Sequence, residues 1–215
     1  MQINYLGHSC FKIKTQNAVL ICDPYDSYIG FKMPKVEAQI VTISHEHKDH
    51  NCLKEISGNP FVIRAPGEYE IADVSIHGLS SYHDEVKGKK RGKNTIYTIR
   101  AEDISLCHLG DLGEKLNDKQ LEEINGIDVL FIPVGGTYTL GPKRAIEVIN
   151  QVEPRIVIPM HFKAPSLDKK IFDQLSTLDD FLKEAGALEA RKEERLTLTK
   201  TSLPEEREIT VLLKK

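Results

Sequence analysis

Six consecutive residues, His45-Glu46-His47-Lys48-Asp49-His50, set three imidazoles and a carboxylate in the pattern H-x-H-x-D-H. Groups crowded this closely cannot all be buried as ordinary core polar groups, because each would need its own hydrogen-bond partner in a small volume. A metal ion supplies the shared partner, and the run points to a two-metal site; the competing reading is a solvated, histidine-rich loop. Four more metal-capable side chains stand just past apolar runs. Asp23 follows 19–22, His83 follows 79–82, Asp111 follows the run ending at Cys107, and His161 follows 156–159. In layered α/β folds such strand ends gather at one edge of a sheet, so residues far apart in sequence converge on a ligand.

The elements that must hold these residues are legible as short β-branched runs at 3–6, 10–13, 19–22, 40–43, 61–63, 74–77, 95–99 and 104–107, each bounded by turn residues. Gln16-Asn17 and Ala101-Glu102-Asp103 suit tight hairpins. From residue 117 the pattern changes. A helix over 119–124, capped by Asn117-Asp118, precedes a buried strand over 127–133; a helix over 142–152 opens on Pro142 and leads to a strand over 155–159. A third helix over 178–185 follows Ser176-Thr177 and stops at Gly186, and strands near 196–199 and 209–213 close the chain. Strands first and helix-strand alternation later predict an α/β fold of sheets covered by helices. The stretch 84–94 (DEVKGKKRGKN), rich in charge and glycine without apolar periodicity, reads as a mobile loop.

With 215 residues, 40% of them hydrophobic and 28% charged, the chain can bury a full core and is expected to form one domain over 1–215. A formal net charge of −3 supplies no global basic field, which argues against nucleic acid as a partner. No run reaches the apolar length that spans a bilayer and the first residues lack a secretory pattern, so a soluble cytoplasmic protein without membrane contact is expected, with a homo-oligomer left open. Cys10, Cys22, Cys52 and Cys107 show no C-x-x-C spacing and read as free thiols.

Taken in order, Asp23, the 45–50 run, His83, Asp111 and His161 resemble the motif series of the metallo-β-lactamase superfamily, over essentially the whole chain. The segments L-G-H-S-C-F, H-L-G-D-L-G and P-V-G-G-T-Y are similar to its compact branch of ascorbate-6-phosphate lactonase-like proteins and metal-dependent hydrolases. The resemblance implies a four-layer αββα sandwich. It further implies that His45, His47 and His83 bind one ion, that Asp49, His50 and His161 bind a second, that Asp111 bridges both, and that Asp23 orients a ligand histidine. Zinc is the expected metal, with manganese or iron(II) as alternatives, because a three-histidine site with an open position suits zinc and a carboxylate-containing site accepts all three. Two such ions hold a hydroxide between them and stabilise the charge that builds during hydrolysis.

His77 and His108 compete with His83 for the first ion. His77 reads as structural, and His108 as either a core histidine with its hydrogen bonds met or a partner that orients a ligand. His8 stands for either a proton donor near the leaving group or a cap on a hairpin. Gly135, Gly136 and Thr137 form either a backbone cradle for an anion or a tight turn. Lys89, Lys90, Arg91 and Lys93 either draw in an anionic substrate or form a solvated face. The expected activity is metal-dependent hydrolysis of a small ester-like substrate (lactone, phosphodiester or phosphorylated sugar derivative), with Asp49, Asp111 and His8 closest to the chemistry. The alternative is a non-catalytic metal-binding or regulatory domain of the same fold.

Overall fold

A computed structural model describes residues 1–214. The first strands are β1 (Gln2–Gly7), β2 (Cys10–Lys14), β3 (Val19–Cys22), β4 (Val36–Glu37), β5 (Ile40–Thr42), β6 (Ile56–Ser57) and β7 (Phe61–Ile63). Along β1 alternate side chains are buried, as a strand with one face on a core requires. β1, β2 and β3 pair antiparallel, whereas β3, β5 and β7 run parallel; β4 and β6 form a separate small ladder. A meander of β8 (Gly67–Ile71), β9 (Val74–Tyr82), β10 (Lys93–Ala101) and β11 (Ile104–His108) begins the second sheet. It continues parallel through β12 (Val129–Pro133) and β13 (Ile156–Met160), with α1 (Asp118–Glu123) and α2 (Pro142–Val152) in the crossovers. The chain ends in α3 (Lys169–Phe172), α4 (Leu178–Glu184), β14 (Arg191–Glu193), β15 (Leu196–Thr197) and β16 (Glu208–Leu212). β14 and β16 extend the second sheet while β15 pairs with β1 of the first.

Three apolar layers follow from this topology. Ile3, Phe11, Ile13 and Leu20 of the first sheet meet Ile76, Tyr97, Leu106 and Phe131 of the second. The outer face of the second sheet, through Leu130, Ile132 and Val157, is covered by Ala145, Val148 and Ile149 of α2 and Phe181 and Leu182 of α4. On the outer face of the first sheet, Ile21, Val41 and Ile43 pack under Tyr25, Ile29, Phe31 and Met33 with Leu167 and Phe172. That fourth layer is mostly loop, one 3₁₀ turn and the single-turn α3, so the mixed sheets carry fewer helices than a four-layer αββα sandwich suggests.

The hairpins and caps match the sequence. Glu102 and Asp103 both adopt positive φ, 55° and 59°, the twist a two-residue hairpin turn needs. Asn117 and Gln120 cap α1 reciprocally, Thr177 and Asp180 do so for α4, and Pro142 opens α2. The stretch 84–92 is a loop, and it has an internal scaffold that its charge and glycine content did not reveal. The Asp84 carboxylate accepts from the backbone N–H of Val86 and Gly88 at 2.9 Å, of Lys90 at 2.9 Å and of Arg91 at 2.7 Å, which winds the segment around one side chain; Lys93 and Asn94 already belong to β10. Cys10, Cys22 and Cys107 are buried free thiols, and Cys52 is partly buried. Among the described residues no helix is long and apolar enough to cross a membrane.

Candidate metal centre

The C-terminal ends of β3, β5, β9, β11 and β13 deliver Asp23, the 45–50 run, His83, Asp111 and His161 to one edge shared by both sheets. The β1–β2 hairpin adds His8. His8 and His161 both have left-handed backbone, φ 57° and 53°, and the His161 N–H donates to the His8 carbonyl at 2.9 Å. Two non-glycine residues in that region, tied to each other, mark backbone held against its preference where side chains must converge.

Three overlapping donor groups result, of which Asp23 with His45 and His50 shares its histidines with the other two. The ligand atoms of His45, His47 and His83 lie within 4.8 Å of one another, and so do those of His8, Asp49, His50 and His161. Asp111 stands between the groups. Its Oδ2 is 3.1 Å from His83 Nε2, 3.3 Å from His161 Nε2 and 3.9 Å from His45 Nε2, and its Oδ1 is 3.4 Å from His50 Nε2. His47 is exposed and opens the site on one side; His45, His50, His83, Asp111 and His161 are buried.

Asp23 sets the orientation of the inner histidines. Its Oδ1 accepts from the Ser44 N–H at 2.7 Å, and its Oδ2 accepts from Ser44 Oγ at 2.5 Å and from His50 Nδ1 at 2.9 Å. Because the Ser44 hydroxyl donates to Asp23, it accepts from His45 Nδ1 at 2.9 Å. Both imidazoles are therefore anchored through an Nδ1–H and turn Nε2 inward. Those Nε2 atoms, with Asp111 Oδ1, are buried and have no hydrogen-bond partner.

The electrostatics are those of a cation site. Asp23, Asp49 and Asp111 crowd into one pocket, and imidazoles are their ion-pair partners. Burial works to raise the Asp111 carboxyl, yet His161 and His50 beside it hold it well below the usual range. Burial equally opposes charge on His50, which Asp111 and Asp49 nonetheless push well above the ordinary imidazole value. His45 is held well below it by burial and by His50. Buried carboxylates facing unpartnered imidazole nitrogens fit divalent ions bound by mixed N and O donors.

The remaining candidates divide. His8 Nε2 lies 3.2 Å from Asp49 Oδ2, and its ring centroid is 4.2 Å from that of His161. Burial and His161 hold His8 down to about 4, so at neutral pH its one N–H goes to Asp49. His108 touches no candidate ligand by hydrogen bond. It meets the Ser9 carbonyl at 2.9 Å through Nε2 and accepts from the Gly110 N–H at 3.2 Å, the core reading, though it thereby props the His8 turn. His77 faces Glu123 at 3.7 Å, away from the centre. The anion cradle is not formed at Gly136, whose N–H donates to the Leu140 carbonyl at 3.0 Å. Gly135 serves close packing instead: a Cβ there would stand 2.1 Å from the His161 carbonyl oxygen. Thr137 and Arg91 do meet, through an Arg91 Nη2 to Thr137 carbonyl bond of 3.3 Å.

Sequence reasoning missed Ser44, Asn94 and Tyr28. Ser44 adjoins the H-x-H-x-D-H run, but its bonds to Asp23 exist only once β3 and β5 pair, so nothing in the sequence marks it. Asn94 accepts from the Asp111 N–H at 2.9 Å and donates to the Leu109 carbonyl at 2.9 Å, fixing the Asp111 turn; as the last residue of a polar stretch it gave no signal. Tyr28, on the 3₁₀ turn Ser27–Ile29, brings its hydroxyl beside Asp49.

Residues 2–161 match the family model of the beta-lactamase superfamily domain, so fold and site together define a protein of that superfamily. The sequence is 30% identical to a UPF0173 metal-dependent hydrolase of Opitutus terrae, covering 76% of this chain and 86% of the relative. It is 27% identical to a protein of the same description from Bacillus thuringiensis subsp. konkukian, covering 75% and 86%. A crystal structure from Thermotoga maritima, provisionally described as a Zn-dependent hydrolase of the metallo-beta-lactamase superfamily, superposes with a TM-score of 0.81 at 38% identity, over 98% of this chain and 97% of that one. The chain belongs to the UPF0173 metal-dependent hydrolase family.

Proposed function

We propose that this chain hydrolyses a small ester-like substrate, a lactone, a phosphodiester or a phosphorylated sugar derivative, with two divalent ions held by His45, His47 and His83 on one side, Asp49, His50 and His161 on the other, and Asp111 between. The observation that carries this reading is the Asp111 carboxylate, within 3.4 Å of imidazoles from both donor groups. When bound, ions of this kind supply a nucleophile at neutral pH and Lewis acidity at the reacting centre. The protein's own part is to hold and orient. Asp23 and Ser44 fix the inner imidazoles, His8 holds Asp49 by its single N–H, and Tyr28 sets its hydroxyl beside Asp49. Zinc suits the nitrogen-rich group, and manganese or iron(II) suits the carboxylate-bearing one.

Elemental analysis of protein purified without added metal is expected to give close to two ions per chain, and His83→Ala to lose one. Asp111→Asn is expected to lower turnover of a generic lactone or phosphodiester by at least about a hundredfold, since one group serves both ions. Full metal content with no turnover of any probe would leave a metal-binding domain, and an unchanged metal content in the His83 variant would remove that ligand set.

A further inference from the structure

Beside His83 the surface opens into a cavity of about 290 Å³, walled in part by Lys90, Arg91, Thr137, Tyr138 and Arg144. Arg91 is not a free surface side chain. Its guanidinium carbon stands 4.6 Å over the Tyr138 ring, its Nη2 donates to the Thr137 carbonyl at 3.3 Å, and its backbone N–H is held by Asp84 at 2.7 Å. The Tyr138 ring is itself fixed, because its hydroxyl donates to the Ile171 carbonyl at 2.8 Å. Tyr138 packs edge-on against Phe172 at 6.4 Å, and Phe172 against His8 at 5.2 Å. Arg91, Tyr138, Phe172 and His8 therefore form one chain of packed side chains from the cavity to the partner of Asp49. It holds a guanidinium at a set offset from the metal centre.

A guanidinium offers five N–H donors in a planar fork that matches a carboxylate or a phosphate, and a single bond to Thr137 leaves most of them for a ligand. Lys90 and Arg144 add positive charge on the same cavity. Glu85, which pairs with Arg144, does so at an exposed position, where ion pairs contribute little and yield to a better-placed anion. The Asp84 carboxylate is turned away into four backbone amides.

We infer that this cavity is the subsite for an anionic group of the substrate, carboxylate or phosphate, set apart from the bond that is cleaved, with Arg91 as the residue that reads it. The inference rests on the hydrolase reading above and narrows its substrate class. Esters and lactones bearing a separate anion are favoured, whereas a simple phosphodiester finds no second contact. Binding energy from a remote group of this kind positions the reacting bond.

The test compares metal-loaded wild type with Arg91→Gln and Arg91→Lys, the second keeping the charge without the fork. Two esters of similar length serve as probes, anionic 4-nitrophenyl hydrogen glutarate and neutral 4-nitrophenyl pentanoate. Calorimetric titrations with glutarate and with glycerol 3-phosphate run beside them. The ratio of kcat/KM for the anionic over the neutral ester is expected to fall about tenfold or more in Arg91→Gln, the equivalent of one charge-assisted hydrogen bond, with partial recovery in Arg91→Lys. Affinity for the preferred anion falls in parallel, and the tighter of the two titrants tells carboxylate from phosphate. An unchanged ratio, anion binding that survives in Arg91→Gln, or no binding of either anion to wild type overturns the subsite. Failure to cleave either ester would leave the hydrolase reading to the lactone and phosphodiester probes, while the titrations still decide the subsite.

Discussion

The Ser44 hydroxyl decides which nitrogen His45 turns to the centre, because its proton is committed to Asp23 and only its lone pairs face His45 Nδ1. Asp23 does the same for His50 directly. One buried carboxylate thus orients two histidines of different donor groups. Partners that fix a ligand imidazole change metal affinity about 10–100-fold when replaced, and Asp23→Asn is expected to weaken binding in that range, since an amide offers a single acceptor oxygen where the carboxylate offers two. Competition with a chromophoric chelator measures it; an affinity equal to wild type would mean that Asp23 supports the fold and not the ligands. At this scale the sequence was informative about residue type and order, because H-x-H-x-D-H and the later His and Asp need no neighbours to be noticed. It was silent on Ser44 and Asn94, whose types are common and whose roles exist only once β3, β5 and β10 bring them beside Asp23 and Asp111.

At the scale of elements, the reading of 84–94 left out the loop's internal scaffold for a physical reason. Charge and glycine without apolar periodicity describe a segment that buries no side chains, and they do not reveal that one carboxylate collects four amides. Asp84→Asn keeps the shape of the side chain but replaces one acceptor oxygen with a donor, so the amides of Lys90 and Arg91 or those of Val86 and Gly88 lose their acceptor. Hydrogen exchange is expected to quicken at those positions while the amides of β10 and β11 keep their protection. Equal protection in the variant would show that the loop is held by other contacts. Elements with strong local signals were legible: α2 begins at Pro142 and ends at Val152 as its sequence predicts, and the caps of α1 and α4 fall on Asn117 and Thr177. β8 was not among the runs read as strands, because Glu68 and Glu70 interrupt its apolar residues; they occupy the solvent side of an edge strand that β9 pairs.

Across the whole molecule, the candidate ligands divide between the sheets. His8, His45, His47, Asp49 and His50 come from the first, and His83, Asp111 and His161 from the second. The hydrophobic layer between the sheets, centred on pairs such as Phe11 and Phe131 with ring centroids 4.4 Å apart, holds them together by apolar contact. The buried carboxylates at the edge oppose that, since each needs a positive partner that the imidazoles supply only by becoming charged themselves. Bound ions would relieve the repulsion and cross-link the two sheets. Ligation selective for the folded state adds about 2.7 kcal/mol at a free-metal concentration a hundred times the dissociation constant, which for a chain of this length is a shift of roughly 5–10 °C in Tm. Calorimetry of the protein as purified and after exhaustive chelation is therefore expected to show the main transition moving down by that amount, and moving back when metal is returned. A main transition that stays in place while only a minor, low-temperature component changes would mean that the ions order the edge loops and leave the joint between the sheets to the apolar layer.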